Sequence, residues 1–345
     1  MEPIDIKTVK LFRKAIEAAS GPIALVAHVN ADGDAIGSVL GLSRVLRNAG
    51  KQTVVLAPNH FPPYYKWIAG AEEILIFSQF YREVRKALAS SGMMICLDLN
   101  SPARTADMKE LLEKYRKSSI VIDHHPFPQK FTNLLISHPE CSSTAELVFH
   151  VIKQMGYREY IDMEAAEALY CGIMTDTGSF DFNISDPQTF RTVSELLEWK
   201  IDPIKIHEKV YDNYSADRMR LLGYCLCECM NILPEYHTAV MHLSRDIQQK
   251  FNFLPGDNEG FVNYPLSIKD IHFSVLFTEK DDHIKVSFRS KGDFPTNDMA
   301  AKYFNGGGHK NASGGELKVP FEKAIELFYT VLPDYKELLE ATRRG

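Results

Sequence analysis

The 345-residue sequence has no surplus of basic charge: 45 acidic side chains stand against 39 basic ones, a net charge of −6. That excludes a polybasic coat for long nucleic acid, which would show as a basic patch and a high pI. It leaves open a small phosphorylated substrate held through metal ions. Long apolar runs are also missing. None approaches the roughly 20 residues needed to span a bilayer, and Met1 to Lys14 is mixed and charged, without the apolar stretch of a secretory signal. Cysteine is scarce, six in the chain with no CxxC pair, so free thiols in a reducing cytoplasm are expected rather than disulfides or structural zinc. No internal repeat or low-complexity tract is present. What remains, 45% hydrophobic and 24% charged, is the composition of an ordinary folded chain, and its length suggests two domains at roughly 100–200 residues each.

The first half alternates short apolar runs with helical stretches. Ile23–Ala27, Thr53–Ala57, Met93–Leu97 and Ser119–Ile122 read as strands buried on both faces. Ala35–Asn48 reads as a helix stopped by Gly50, and Thr144–Gln154, Met163–Gly172 and Pro187–Trp199 as further helices. This rhythm predicts an α/β fold, a mostly parallel sheet flanked by helices. Near Lys200–Asp217 the pattern changes. A helix over Ala216–Met230 is predicted, with Cys225 and Cys229 on one face and Cys227 off it, a core arrangement rather than a metal site. Strands follow at Thr238–Leu243, Ile271–Thr278 and Ile284–Arg289, the last two joined by a hairpin turn at Glu279–His283. The expected organisation is a first domain over 1–199, a linker over 200–215, and a second, smaller α/β domain over 216–345.

Polar residues recur just after the apolar runs. Ile23–Ala27 leads into His28 and Asp32-Gly33-Asp34, Met93–Leu97 into Asp98, and Ser119–Ile122 into Asp123-His124-His125. Tyr170–Met174 leads into Thr175-Asp176-Thr177-Gly178. Ligands of open α/β sheets bind beyond the carboxyl ends of the strands, so these segments can converge. Taken singly, each has a bland reading: Asp32-Gly33-Asp34 a surface turn or helix cap, Asp98 a loop cap, His124-His125 a hydrogen-bonded core pair, Asp176 a turn. Their shared position and complementary chemistry outweigh those readings, because imidazole with carboxylate suits first-row divalent metals. Clustered aspartates without cations would also repel one another. Ser38 and Ser142-Ser143-Thr144 read as helix-start and capping residues rather than nucleophiles.

In order, His28-x3-Asp32-x-Asp34-x2-Gly37-Ser38, Asp98, Asp123-His124-His125 and Thr175-Asp176-Thr177-Gly178 resemble the four motifs of the DHH phosphoesterases. Phe288-Arg289-Ser290-Lys291-Gly292 and Gly306-Gly307-Gly308-His309 resemble the associated C-terminal substrate domain. Ala31 stands where the family often has Pro, and Asn305 replaces another Gly, and neither change removes a ligand. Domain order and length look most like the branch of nanoRNases and pAp phosphatases.

The resemblance implies a cleft between the domains holding two divalent metal ions, manganese first, with cobalt or magnesium as alternatives. His28 and Asp32 would hold one ion, Asp34, His124 and Asp176 the other, and Asp98 would bridge them. Asp123 would orient an imidazole, and His125 would face the scissile phosphate as a donor or proton source. Two ions about 3.5–4 Å apart generate a hydroxide that attacks phosphorus. Arg104, Arg289, Ser290, Lys291, Gly306, Gly307, Gly308 and His309 are the candidate substrate contacts: a glycine run lets backbone amides approach an anion, and His309 could stack on a base.

The implied activity is hydrolysis of short oligoribonucleotides to mononucleotides, and of 3′-phosphoadenosine 5′-phosphate (pAp) to AMP. The expected substrates are therefore short single-stranded RNA, dinucleotides and pAp, with no long duplex and no membrane partner, and a homodimer is permitted. Competing readings are a cyclic-dinucleotide or linear-dinucleotide phosphodiesterase, a pyrophosphatase or exopolyphosphatase, and a nucleotide sensor without catalysis. The intact ligand set argues against the sensor.

Overall fold

The structure, a computed structural model, describes residues 4–181, 184 and 186–342. Two compact units divide the chain, Met1–Asn213 and Tyr214–Gly345.

The first unit is built on a six-stranded sheet: β1 (Ile23–Val26), β2 (Thr53–Ala57), β3 (Leu75–Ile76), β4 (Met93–Leu97), β5 (Ser118–Asp123) and β6 (Leu134–Ser137). Its order is β3-β2-β1-β4-β5-β6, with every neighbouring pair parallel. The helices are α1 (Ile6–Ala18), α2 (Gly33–Asn48), α3 (Tyr81–Ser90), α4 (Lys109–Lys114), α5 (Thr144–Gln154), α6 (Met163–Asp176), α7 (Gln188–Leu196) and α8 (Pro203–Tyr211). Alternate strand residues point to opposite faces. Ile23, Leu25, Ile95 and Ile122 therefore join one core with α2, α5 and α6, while Ala24, Val26, Met94 and Val121 join another with α3. Burial on both faces is why these strands are unbroken apolar runs.

Sequence expectation and structure agree for β1, β2, β4 and β5 and for the α/β class. They differ at edges and ends. β3 has two residues, and β6 is a half-exposed edge strand, too short or too mixed for a pattern to reveal. α6 continues past Gly172 to Asp176, and the expected helix over Pro187–Trp199 is α7 followed by a short 3₁₀ turn at Leu197–Trp199. In the polar stretch after 200, α8 starts with Asp202 as cap and Pro203 in its first turn, and buries Ile206 and Val210.

The second unit holds α9 (Ala216–Glu228), β7 (Met230–Leu233), β8 (Thr238–Leu243), α10 (Arg245–Lys250), β9 (Phe273–Glu279), β10 (Ile284–Ser290), α11 (Thr296–Tyr303), β11 (Gly307–Gly308), β12 (Ala312–Leu317), α12 (Phe321–Val331) and α13 (Lys336–Ala341). Its sheet runs β11-β12-β10-β9-β8-β7 and is mixed: β8 and β9 are parallel, the other pairs antiparallel. Phe273, Phe277, Phe288, Phe304 and Phe328 fill its main core. Cys225 and Cys229 are buried and Cys227 exposed, as the helical spacing requires, and all six thiols are free. Among the described residues, no helix is long and apolar enough to cross a membrane.

Candidate active site

In the first unit the chain order of the sheet reverses between β1 and β4, which lie side by side with Val26 opposite Cys96. Such a switch point leaves a crevice beyond the strand ends. His28 leaves β1 there, Asp98 leaves β4, and Asp123 ends β5. Asp98 has φ +60, a left-handed conformation that Asp tolerates better than most residues. Asp32 caps α2 by accepting from Ala35 N at 3.0 Å, and Asp34 lies in its first turn. Asp176 arrives differently from the others, as the last residue of α6 rather than from a strand end.

What brings Asp176 close is a glycine stripe. A Cβ on Gly33 would stand 2.3 Å from Thr175 Oγ1, one on Gly37 2.4 Å from Ala168 O, and one on Gly41 2.8 Å from Leu169. Spaced four apart, these glycines line one face of α2 and let α6 pack directly on its backbone.

The donor atoms of the first unit fall into three groups, each with members within 4.8 Å of one another: His28, Asp32 and Asp98; Asp34, His124 and Asp176; and Asp98, Asp123 and His125. Asp98 is common to the first and third, and its Oδ1 lies 3.8 Å from His124 Nε2 of the second. All six candidate metal ligands therefore come together. Tautomers follow from the hydrogen bonds. His28 Nδ1 is 2.8 Å from Val29 O, and His124 Nδ1 is 3.2 Å from Cys141 O. Each carbonyl takes the Nδ1 proton, which turns the Nε2 lone pair inward. His28 Nε2 then faces Asp98 Oδ2 at 3.2 Å and Asp32 Oδ1 at 3.7 Å. His124 Nε2 faces Asp176 Oδ2 at 3.4 Å, Asp98 Oδ1 at 3.8 Å and Asp34 Oδ2 at 3.9 Å. Lone pairs aimed at carboxylates repel unless a cation or proton lies between them, and two imidazoles with four carboxylates are a donor set that fits divalent ions.

The electrostatics carry the same conflict. Burial and then the charges of Asp98, Asp176 and Asp32 push the Asp34 carboxyl well above its usual range. Burial and Arg104 pull His28 down, but Asp32 and Asp98 outweigh both and lift it to about 9. Burial opposes ionisation of Asp98, yet His28, His125 and His124 hold it well below the usual carboxylate range. Asp123 is pushed up to about 7 by burial and by Asp98.

The N-terminus of α5 supports the cluster. Ser143 caps it, its Oγ accepting from Glu146 N at 3.0 Å. Thr144 N donates to Asp34 Oδ2 at 2.7 Å, Ala145 N to Asp34 Oδ1 at 2.8 Å, and Thr144 Oγ1 to Asp98 Oδ1 at 2.9 Å. Below them sits the Glu146 carboxylate, 1% exposed. Its Oε2 accepts from Ser142 N (2.9 Å), Ser142 Oγ (2.7 Å) and Thr189 Oγ1 (3.0 Å). Sequence reasoning saw a capping cluster here but missed Thr144 as a support for Asp98, and missed Glu146. An acid two residues after the cap cluster, inside an otherwise apolar helix, was the available signal. Ser38 lies one turn inside α2 and donates to Asp34 Oδ1 at 3.3 Å.

His125 sits beside the cluster in a relay. Its Nδ1 donates to Asp123 Oδ1 at 2.8 Å, and its Nε2 accepts from Arg104 Nη1 at 2.8 Å. Burial and the Arg104 charge hold this imidazole well below its ordinary pKa, hence neutral. In this arrangement His125 orients Arg104 and presents no N–H of its own to a phosphate.

The second-unit candidates are placed as follows. Arg289 Nη1 donates to Phe288 O at 2.9 Å, and Lys291 Nζ to Leu266 O at 2.6 Å. Ser290 Oγ donates to Phe294 O at 2.7 Å and accepts from Asn311 Nδ2 at 2.8 Å. Gly306 and Gly308 serve backbone packing: a Cβ on Gly306 would stand 1.8 Å from Gly314 O, and Gly308 has φ +134. Gly307 is exposed with open space beside it. His309 N donates to Ala312 O at 2.8 Å, in the turn between β11 and β12. Phe304 is core, with Tyr303 packed against it.

A parallel α/β sheet whose switch point gathers these imidazoles and carboxylates is the framework of a candidate metal-dependent enzyme. The family comparisons say which: residues 22–173 match the model of the DHH family, N-terminal domain, and residues 237–335 match that of the DHHA1 domain. The chain belongs to the DHH family of phosphoesterases. It is 29% identical over 349 residues to the bifunctional oligoribonuclease and PAP phosphatase NrnA of Thermus thermophilus, covering 100% of this chain and 98% of that one. The Bacillus subtilis protein of the same description is 29% identical over 301 residues, 86% of this chain and 89% of the relative. A crystal structure described as an exopolyphosphatase-related protein from Bacteroides fragilis is 42% identical, with 99% of each chain covered and a TM-score of 0.93.

Proposed function

We propose that this protein hydrolyses short oligoribonucleotides to mononucleotides and pAp to AMP, using two divalent ions, manganese first among them. The observation that carries the two-ion reading is the division of the donors into His28, Asp32 and Asp98 on one side and Asp34, His124 and Asp176 on the other. Asp98 turns Oδ2 toward His28 and Oδ1 toward His124. Bound ions would polarise phosphoryl oxygens and lower the pKa of water. The chain's own residues do the rest: Thr144 and Ala145 fix Asp34, Thr144 fixes Asp98, and the Asp123–His125 pair orients the Arg104 guanidinium for a phosphoryl oxygen. Arg289, Lys291 and the loop over Gly306–His309 are assigned to the substrate's distal phosphate or base. The choice of substrates rests on the relatives described as bifunctional oligoribonucleases and PAP phosphatases.

The test is a panel of initial rates on a linear dinucleotide, pAp, a cyclic dinucleotide and pyrophosphate, each with Mn²⁺, Co²⁺, Mg²⁺ or chelator. Fastest turnover of the dinucleotide and pAp with Mn²⁺, lost on chelation, is expected. Preference for the cyclic dinucleotide or for pyrophosphate would overturn the substrate assignment, and undiminished rates in chelator would overturn the metal assignment.

A further inference from the structure

Directly after Asp123-His124-His125 the chain runs Pro126-Phe127-Pro128, and Phe127 breaks three rules at once. It is 85% exposed, although a Phe ring is ordinarily buried. Its φ is +57, a conformation that costs a bulky side chain energy. It also precedes a proline, a position biased toward extended backbone. The loop is nonetheless pinned: Asn100 Nδ2 donates to Pro126 O at 2.9 Å, and Gln129 N donates to Asn100 O at 2.7 Å. Asn100 itself is two residues past Asp98, so the anchor and the site share one strand end. Two trans peptide units separate Phe127 from His125, which keeps their Cα atoms within about 7.6 Å.

A strained, solvent-facing aromatic on a braced loop does nothing for packing, and strain held beside reacting groups is the signature of a working residue. We propose that the Phe127 ring is the stacking surface for a nucleobase of the substrate, next to the phosphate that the site cleaves. The inference rests on the nucleotide reading above and adds the group that recognises the base. Stacking suits a substrate range of mixed sequence, because every base has a π-face. The two prolines and the Asn100 anchor fix the loop backbone before the substrate arrives, which lowers the ordering cost of binding.

The experiment compares wild type with Phe127→Ala, Phe127→Trp and Phe127→Gly on a linear dinucleotide and on an abasic ribose-phosphate diester of the same length, with Mn²⁺. Phe127→Ala should raise KM for the dinucleotide about tenfold with kcat changed less than twofold. Phe127→Trp should restore KM, and the abasic diester should not distinguish the variants. Phe127→Gly should lose affinity equally yet melt no lower than wild type, because glycine accepts φ +57 without strain. An unchanged dinucleotide KM in Phe127→Ala, or an equal loss on the abasic diester, overturns the proposal while leaving the nucleotide reading intact. If wild type cleaves pyrophosphate but no nucleotide, both fall.

Discussion

Glu146 offers the sharpest separation between a buried charge as such and the bonds it accepts. Its Oε2 takes three short hydrogen bonds, from Ser142 N, Ser142 Oγ and Thr189 Oγ1, while Oε1 has only longer neighbours: Thr192 Oγ1 at 3.5 Å and His150 Nε2 at 3.7 Å. In Glu146→Ala the Ser142 N–H stays buried with no acceptor, costing about 1–3 kcal/mol, and two hydroxyl bonds disappear at about 0.5–1.5 kcal/mol each. The expected loss is about 3–5 kcal/mol, the range for removing one partner from a buried charged network. Glu146→Gln behaves differently. The amide oxygen can occupy the Oε2 position and keep all three short bonds, while the NH₂ faces Thr192 and His150, both of which can accept. Its expected loss is about 1 kcal/mol.

Both tryptophans of the chain, Trp67 and Trp199, lie in the first unit. Urea melts followed by their fluorescence therefore report the unit that contains Glu146. pH adds a second readout. Burial raises the Glu146 carboxyl, but the nearby His150 imidazole and the hydrogen bonds from Ser142 outweigh it, leaving the folded pKa below the ordinary 4.5. A depressed folded value means that the ionised group stabilises the fold above about pH 4.5 and that this contribution is lost as pH falls through the folded pKa. The gap between wild type and Glu146→Gln should therefore narrow in acid. Equal destabilisation by Gln and Ala, or a gap that widens as pH falls, would refute the reasoning.

Asp98→Asn keeps the side-chain shape and tolerance of a positive φ, so the protein should stay folded while turnover falls below detection; retained turnover with metal bound would sink the bridging role. Gly37→Ala places a methyl 2.4 Å from Ala168 O and 2.9 Å from Gly172 N, so it should cost about 1–3 kcal/mol by overpacking and weaken Mn²⁺ binding measured by calorimetry. Gly223→Ala, with nothing within 4 Å of the added Cβ and an exposed place inside α9, is the control: it should leave Mn²⁺ binding unchanged and stabilise its helix by about 0.5–1 kcal/mol. Chelation should lower the melting temperature of the first unit: metal at 100 times its dissociation constant contributes about 2.7 kcal/mol, or about 5–10 °C for a domain of this size. An unchanged melting temperature would argue that the donors hold no ion.

How much of this was legible depended on whether the physics is written in side chains. β1, β2, β4 and β5 were readable because burial on both faces demands unbroken apolar runs. β6 was not, because an edge strand with one half-exposed face reads like a loop, and β12 was not, because Gly314 and Gly315 are chosen for backbone approach rather than strand propensity. The six candidate metal donors were readable because imidazole and carboxylate announce their chemistry. The amides of Thr144 and Ala145 that hold Asp34 were not, since a backbone N–H carries no letter. The placement of Asp176 fell between the two. Its motif was visible, but Thr-Asp-Thr-Gly looks like a turn, and only the packing of α6 on Gly33, Gly37 and Gly41 explains why it closes a helix.

That packing also explains how an acidic chain tolerates its most acidic spot. Asp34 sits against α6 with no room to withdraw: a Cβ added at Gly172 would lie 3.0 Å from its Oδ1. Two backbone amides clamp its oxygens, and Asp98, Asp176 and Asp32 push its carboxyl toward the neutral form. Movement cannot relieve the repulsion, and protonation would give up part of the attraction to the α5 amides. Cations relieve it while keeping every donor in place. Two divalent ions would also change the net charge from −6 to −2 and make this spot attractive to phosphate. Close helix packing, which looks like a purely structural feature of α2 and α6, thus keeps the carboxylates from spreading apart and leaves shared ions as the way their repulsion would be relieved.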